Sequence, residues 1–178
     1  EIGWELYVPF DAGLRVWDAL WEAGRPHGLR AVGYRAVDSL RLEKGYRYWS
    51  ADVTPEYTPY EAGLGFCVKL DSKDFQGREA LLRQRAAGLT RKLCCLILAD
   101  PSAHPLANEP VLADERVVSR VTSGGYGYTV GESIAYAYLP IALAAAGTVV
   151  AVEADGRRVP ATVQPEPRYD PANSRIKA

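Results

Sequence analysis

The chain has 178 residues, of which 48% are apolar and 24% charged. That balance supports a real hydrophobic core and excludes a disordered tail. Lys+Arg number 21 against Asp+Glu 22, a formal net charge of -1, so no global field exists to hold a polyanion and nucleic-acid binding is excluded as the main role.

No apolar run reaches the ~18 residues that span a bilayer. The start, EIGWELYVPF, lacks the basic flank and apolar core of a secretory signal, so no membrane partner is expected. There is no Met anywhere, position 1 included, which predicts a piece of a longer protein. Three cysteines stand outside any CxxC pair. Cys94 and Cys95, adjacent in an apolar run, read as inert reduced thiols in a reducing compartment: the cytoplasm, or the mitochondrial matrix in a eukaryote.

The first half alternates short strand and helix signals. Leu6 to Val8 reads as a strand. Strict alternation there puts Glu1, Gly3, Glu5 and Tyr7 on one face and Ile2, Trp4 and Leu6 on the other. On pattern alone, Glu1 and Glu5 read first as solvent-facing acids on an edge strand, and second as a carboxylate able to grip a flat heterocycle. Asp11 stands at a helix N-cap, with Leu14, Trp17, Leu20 and Trp21 at helical spacing and Gly24 and Pro26 as the stop. Leu29 to Val32 reads as another strand. A second helix carries Val37 and Leu40 and ends at Gly45.

The aromatic stretch from Tyr46 to Tyr57 is turn-rich. Tyr46, Tyr48, Trp49, Tyr57 and Tyr60 read as packing ahead of a stacking platform. Thr58, Pro59 and Glu61 form a capping-box helix start, cut short by Gly63 and Gly65. A further helix runs from Gly77 to Gly88. The charges of RLEKGYR read as a solvated helix face.

After Gly88 short apolar runs take over: Leu89 to Leu98, Val117 to Val121, Ile134 to Leu139, Thr148 to Val152 and Val159 to Val163. Asp155-Gly156 marks a two-residue hairpin. These runs predict a small β-barrel or sandwich, so a boundary falls near residue 88, dividing 1–88 from 89–178. From Pro165 the chain reads as an extended tail.

No catalytic constellation is evident. His27 and His104 give no metal-ligand spacing. Asp100, Ser102 and His104 in DPSAHP read as turn chemistry rather than a triad. Gly124, Gly125 and Gly127 in TSGGYG read as a tight turn rather than a phosphate cradle.

Five separated motifs, in order, carry a resemblance: GWELYVP, AVDSLRLEKGYRYWSADVTPEYTPYEAGLGFCVKLD, DFQGREAL, VTSG and SIAYAYLP. Together they resemble the folate-binding aminomethyltransferase family founded on the glycine cleavage T-protein, and especially the versions fused to flavin-dependent dimethylglycine and sarcosine dehydrogenases or oxidases. The resemblance implies an α+β fold: the C-terminal part of a folate-binding α+β domain followed by a small antiparallel β-barrel. It implies tetrahydrofolate as cofactor, with FAD on an N-terminal flavin domain of the same chain. That flavin domain oxidises an N-methyl group, and the folate captures the one-carbon unit.

Residue by residue, Glu1 falls on the family glutamate that holds the pterin, which reverses the solvent-facing reading. Tyr138 falls on a tyrosine lining the folate site from the barrel. A family arginine is replaced by Val37. Arg35 and Arg41 are the candidates to replace it, although Arg41 reads first as a helix-surface residue. The family's catalytic aspartate lies upstream of Glu1, so no catalytic residue is expected here. An iron–sulfur branch with a Lys-Gly-Cys motif is discounted, because the aligned stretch is Lys73-Asp74-Phe75.

Overall fold

The computed structural model describes residues 3–175 and 177. Three helices, α1 (Gly13–Gly24), α2 (Tyr34–Lys44) and α3 (Arg78–Ala87), precede six strands. These are β1 (Arg91–Leu98), β2 (Pro110–Ala113), β3 (Arg116–Gly127), β4 (Glu132–Pro140), β5 (Val149–Ala154) and β6 (Arg157–Gln164). The strands close into an antiparallel barrel in the order β1-β4-β3-β2-β5-β6. Every strand therefore has two neighbours, and no ladder is left open.

Alternation sorts the barrel residues into two clusters. Cys94, Leu96, Val121, Ala135, Ala137, Leu139, Val152 and Ala161 point inward and fill the lumen. Mostly small and β-branched side chains fit because so narrow a barrel holds little else. Leu93, Cys95, Ile134, Tyr136 and Tyr138 point outward and meet Leu42 and Ala62. With both faces covered, β4 is buried at every position from Ser133 to Leu139, and its sequence lacks polar alternation for that reason.

The Asp155-Gly156 hairpin is as expected. Both residues have positive φ, 52° and 69°, and Ala154 pairs with Arg157. The β2–β3 hairpin uses the same geometry at Asp114 and Glu115, with φ of 46° and 66°. Without a glycine the turn carries no signature, and β2 escapes a reading of periodicity.

α2 and α3 end at Gly45 and Gly88 as expected. Other expectations fail. Residues 6–8 and 29–32 are not strands, because no neighbouring chain among the described residues gives them a ladder. Leu29 instead closes a Schellman cap: its N–H donates to Gly24 O, with Gly28 at φ 81°. α1 is preceded by a 3-10 turn at Phe10–Ala12, and no Asp11 side-chain cap is made.

The capping box at Thr58 forms, with Thr58 N–H on Glu61 Oε2 at 2.8 Å and Glu61 N–H on Thr58 Oγ1 at 3.3 Å. It closes only a turn, because Gly63 follows with φ 74°. The TSGGYG glycines lie inside β3, not in a turn. They are small because neighbours press on them. A Cβ on Gly124 would stand 2.6 Å from Pro105 O, and one on Gly127 would stand 2.9 Å from Glu43 Cγ.

That contact reverses the reading of RLEKGYR. Leu42, Glu43 and Lys44 are buried against the barrel, while Val37 and Leu40 face outward. The tail seals this seam. Arg168 and Tyr169 N–H groups donate to Glu43 O, and Arg47 pairs with Glu166 at 2.5 Å.

Candidate functional site

The junction between the barrel and the 48–64 segment turns on one residue that sequence reasoning missed. Asp52 is buried, and its carboxylate accepts four hydrogen bonds. Oδ2 takes Arg41 Nη1 at 2.7 Å and the Tyr48 amide at 2.9 Å. Oδ1 takes Thr122 Oγ1 at 2.5 Å and Ser123 Oγ at 2.6 Å. A buried carboxylate needs such compensation, and here it ties α2 and the loop to β3. Its backbone carbonyl accepts the Tyr138 hydroxyl at 2.7 Å. Two candidate residues, Arg41 and Tyr138, thus meet on Asp52.

Tyr138 stacks on Tyr57, with ring centroids 3.6 Å apart and planes 7° from parallel. Burial raises its phenol pKa, and it stays a hydrogen-bond donor. The Arg91 guanidinium lies 4.6 Å from the Tyr57 ring centre and 5.9 Å from that of Tyr138. Arg91 Nε bonds Glu61 Oε1 at 2.9 Å, and Nη2 bonds Glu56 O at 2.7 Å. Burial pushes the Glu61 carboxyl pKa up, but the bonds from Thr58 and Arg91 more than offset it and hold the pKa below the usual range.

This assembly forms one wall of an open cavity of about 870 Å³. Ser50, Thr54, Tyr57 and Glu56 line it from the loop, and Arg91, Arg120, Thr122 and Tyr138 from the barrel. Its lining offers an aromatic edge, hydroxyls and two guanidiniums against one carboxylate, Glu56. Such a lining can bind a flat, anionic molecule, but it presents no nucleophile paired with a base.

The candidate residues separate accordingly. Tyr138 lies at the cavity wall, but Tyr57 covers its ring, the Asp52 carbonyl takes its hydroxyl, and only 5% of it is exposed. Arg41 is no helix-surface residue. Its side chain is 14% exposed and bridges Asp38 and Asp52, lining a smaller pocket of about 280 Å³ beside the cavity. Arg35 stands on the exposed side of α2, away from the cavity lining. Glu1 lies outside the described residues.

Of the aromatics read as packing, Tyr57 packs, whereas Tyr46, Tyr48 and Trp49 are exposed. Tyr57 carried no more signal than its neighbours. Asp52 carried none, since an acid in a turn-rich stretch reads as turn chemistry.

Other reactive groups stand apart. Burial raises the Cys94 thiol pKa and pushes that of Cys95 up to about 12, which leaves both thiols inert. Ser102 Oγ and N–H both bond Asp100 Oδ1, closing a turn. No cluster of three or more potential metal ligands occurs among the described residues. No helix among them is long and apolar enough to cross a membrane.

Comparison with known proteins gives the junction a context. Residues 1–72 match the family model described as the GCVT N-terminal domain, and residues 91–170 match the glycine cleavage T-protein C-terminal barrel domain. The chain is 38% identical to mitochondrial dimethylglycine dehydrogenase of Homo sapiens over 99% of its length, covering 21% of that protein. It is 42% identical to mitochondrial sarcosine dehydrogenase of Mus musculus, again over 99% of its length and covering 20% of that protein. It is 40% identical to an aminomethyltransferase of Symbiobacterium thermophilum over 95% of its length, covering 45% of that protein. The crystal structure of the glycine cleavage system aminomethyltransferase T from Bartonella henselae superposes with a TM-score of 0.81 at 28% identity, covering 92% of this chain and 45% of that one. The chain thus spans about a fifth of the dehydrogenases and under half of the aminomethyltransferases. With both family models in order along it and these relatives matching nearly its whole length, the chain belongs to the glycine cleavage T-protein (aminomethyltransferase) family.

Proposed function

We propose that this chain is the tetrahydrofolate-binding portion of an FAD-dependent N-methyl amine dehydrogenase or oxidase of the dimethylglycine or sarcosine type. The carrying observation is the end-to-end likeness to dimethylglycine and sarcosine dehydrogenases, 37–42% identical over 99% of the chain. In this reading a flavin domain of the same protein oxidises the N-methyl group, and this portion holds the folate that takes up the carbon. Residues 1–88 complete the folate-binding body and residues 89–178 form the barrel beside it. Glu1 holds the pterin edge, because a carboxylate can accept two adjacent N–H donors at once. Tyr138 and Arg41 act through Asp52, holding the wall in shape. In a eukaryote the protein works in the mitochondrial matrix, a reading supported by two named relatives that are mitochondrial.

A folate amine held beside the arriving carbon makes capture effectively intramolecular. Among the described residues the cavity offers a cradle and no nucleophile paired with a base, so this portion alone is expected to be inactive.

The test is turnover of [methyl-13C]sarcosine and [methyl-13C]dimethylglycine by the full-length protein with tetrahydrofolate. Labelled 5,10-methylenetetrahydrofolate, with flavin reduction, supports the reading. Label released only as formaldehyde, with no folate bound, contradicts it.

A second reading rests on the 40% identity to an aminomethyltransferase and the T-protein superposition. It is a flavin-free aminomethyltransferase, and it requires a full-length protein without flavin absorbance.

A further inference from the structure

We propose that residues 4–32 form a strand–helix–strand unit whose sheet is completed by the stretch of the longer protein that precedes them, with the apolar face of α1 as its cover. The proposal applies to the flavin-linked and the flavin-free reading alike.

α1 needs a partner. It has 12 residues and buries none of them, and a helix of that length is marginal in water without tertiary packing. Its face is built for such packing. Leu14, Trp17, Leu20 and Trp21 lie along one side, and Arg15, Asp18 and Glu22 along the other. Trp17 and Trp21 stack with ring centroids 6.2 Å apart. With Leu29 and Val32 they line an open apolar groove of about 480 Å³.

The runs on either side of α1 need a partner too. Residues 4–8 and 30–32 are exposed. Among the described residues, their backbone N–H and C=O groups make no backbone hydrogen bond. Both runs have strand composition and lack only a ladder. A helix between two such runs is the βαβ arrangement, in which the helix lies apolar face down over the sheet its strands join. Residues 29–32 line the same groove as the α1 face, so one added sheet can pair with that run and fill the groove at once.

The relatives indicate the occupant. The unit lies inside the region matched by the GCVT N-terminal domain model. A dimethylglycine dehydrogenase and an aminomethyltransferase both match through it, and each has more than half its length outside the match. The cover is therefore a stretch that both kinds possess, not a flavin domain confined to the dehydrogenases. The exposed apolar side chains lead from α1 through Phe10 to Trp4, 102% and 88% exposed, so the cover lies toward that end of the chain. The barrel carries few such side chains.

Two measurements on the full-length protein test this. Hydrogen exchange at amides 4–8 and 30–32 is expected to run at least about a hundredfold slower than in an unstructured peptide, as for amides in a packed sheet. Exchange at the unstructured rate overturns the proposal. The second measurement places a photo-crosslinker in the groove with Trp17→p-benzoylphenylalanine and maps the crosslinked peptides. A crosslink within one chain, to aminomethyltransferase-like sequence preceding the unit, supports the proposal. A crosslink to a second copy, to a flavin-binding stretch or to the barrel overturns it, and so does the absence of any crosslink. The exchange measurement needs no substitution, so it decides the matter if the variant fails to fold. Neither failure touches the folate reading, which the labelled-substrate turnover tests separately.

Discussion

Replacing Asp52 by Ala removes the one acceptor shared by Arg41, the Tyr48 amide, Thr122 and Ser123. The losses are unequal. Thr122 can turn its single hydroxyl proton to the Tyr136 carbonyl, 3.1 Å away. Arg41 keeps Asp38 at 2.7 Å, and its side chain, 14% exposed, still reaches some water. The Ser123 hydroxyl and the Tyr48 amide lose their acceptor inside the junction. Removing one partner of a buried ion pair costs about 3–5 kcal/mol, and the surviving Asp38 contact places this case near 3. For a chain of this size about 1 kcal/mol moves Tm by roughly 2–4 °C, so a fall of about 6–12 °C is expected. Calorimetric or fluorescence-detected melting measures it. Asp52→Asn keeps one acceptor oxygen but turns an amide N–H toward two donors, and it should lose about 2 kcal/mol. Arg41→Met combined with Asp52→Leu should melt higher than Asp52→Ala, because no charge is left stranded. A loss under about 1 kcal/mol for Asp52→Ala would refute the hub.

Further outcomes follow from the same geometry. The folded-state pKa of Glu61 lies below its unfolded value, so its stabilisation is complete above about 4.3 and is lost as pH falls through the folded value. Urea denaturation across pH 3–7, roughly the carboxylate range and above, should show that loss. Glu61→Gln should remove part of it, and an unchanged acid limb would contradict the assignment. Gly127→Ala drives a Cβ to within 2.9 Å of Glu43 Cγ and Val130 Cγ2, with an expected cost of about 1–3 kcal/mol by overpacking. A neutral melting curve would show that the α2 seam gives way freely. With Cys94 and Cys95 buried and Cys67 exposed, a thiol reagent should label Cys67 alone in the native protein, and rapid labelling of a second thiol would contradict the packing. Glu1→Ala should weaken tetrahydrofolate binding by about 1–3 kcal/mol, and unchanged affinity would remove Glu1 from the site.

Legibility in the sequence followed the range of the interactions. The Asp155-Gly156 turn and the glycine ends of α2 and α3 are set by neighbours within a few residues, and five of the six strands show as apolar runs, so these are readable. β2 is not, because its hairpin at Asp114-Glu115 reaches the same positive φ without glycine. Residues 6–8 and 29–32 look like strands because they are apolar, yet a strand exists only through a ladder. The TSGGYG glycines read as a turn because nothing local reveals that Pro105, Leu42 and Glu43 press on them.

The site shows the same division. Tyr138 was reachable through a motif. Its partners Asp52, Tyr57 and Arg91 come from two separate stretches of chain, and only the closed barrel brings them together. Arg41 sits in a run of charges that resembles a solvated face, and a single acid eleven residues on turns it inward. Long-range polar pairing of this kind leaves no periodic trace in the sequence.

The most direct test of folate binding at this junction is hydrogen exchange on the full-length protein with and without tetrahydrofolate. The account expects added protection in residues 50–57 and 117–122, the two stretches that face each other across the cavity. Saturating tetrahydrofolate that leaves both segments exchanging at their unliganded rates would contradict it.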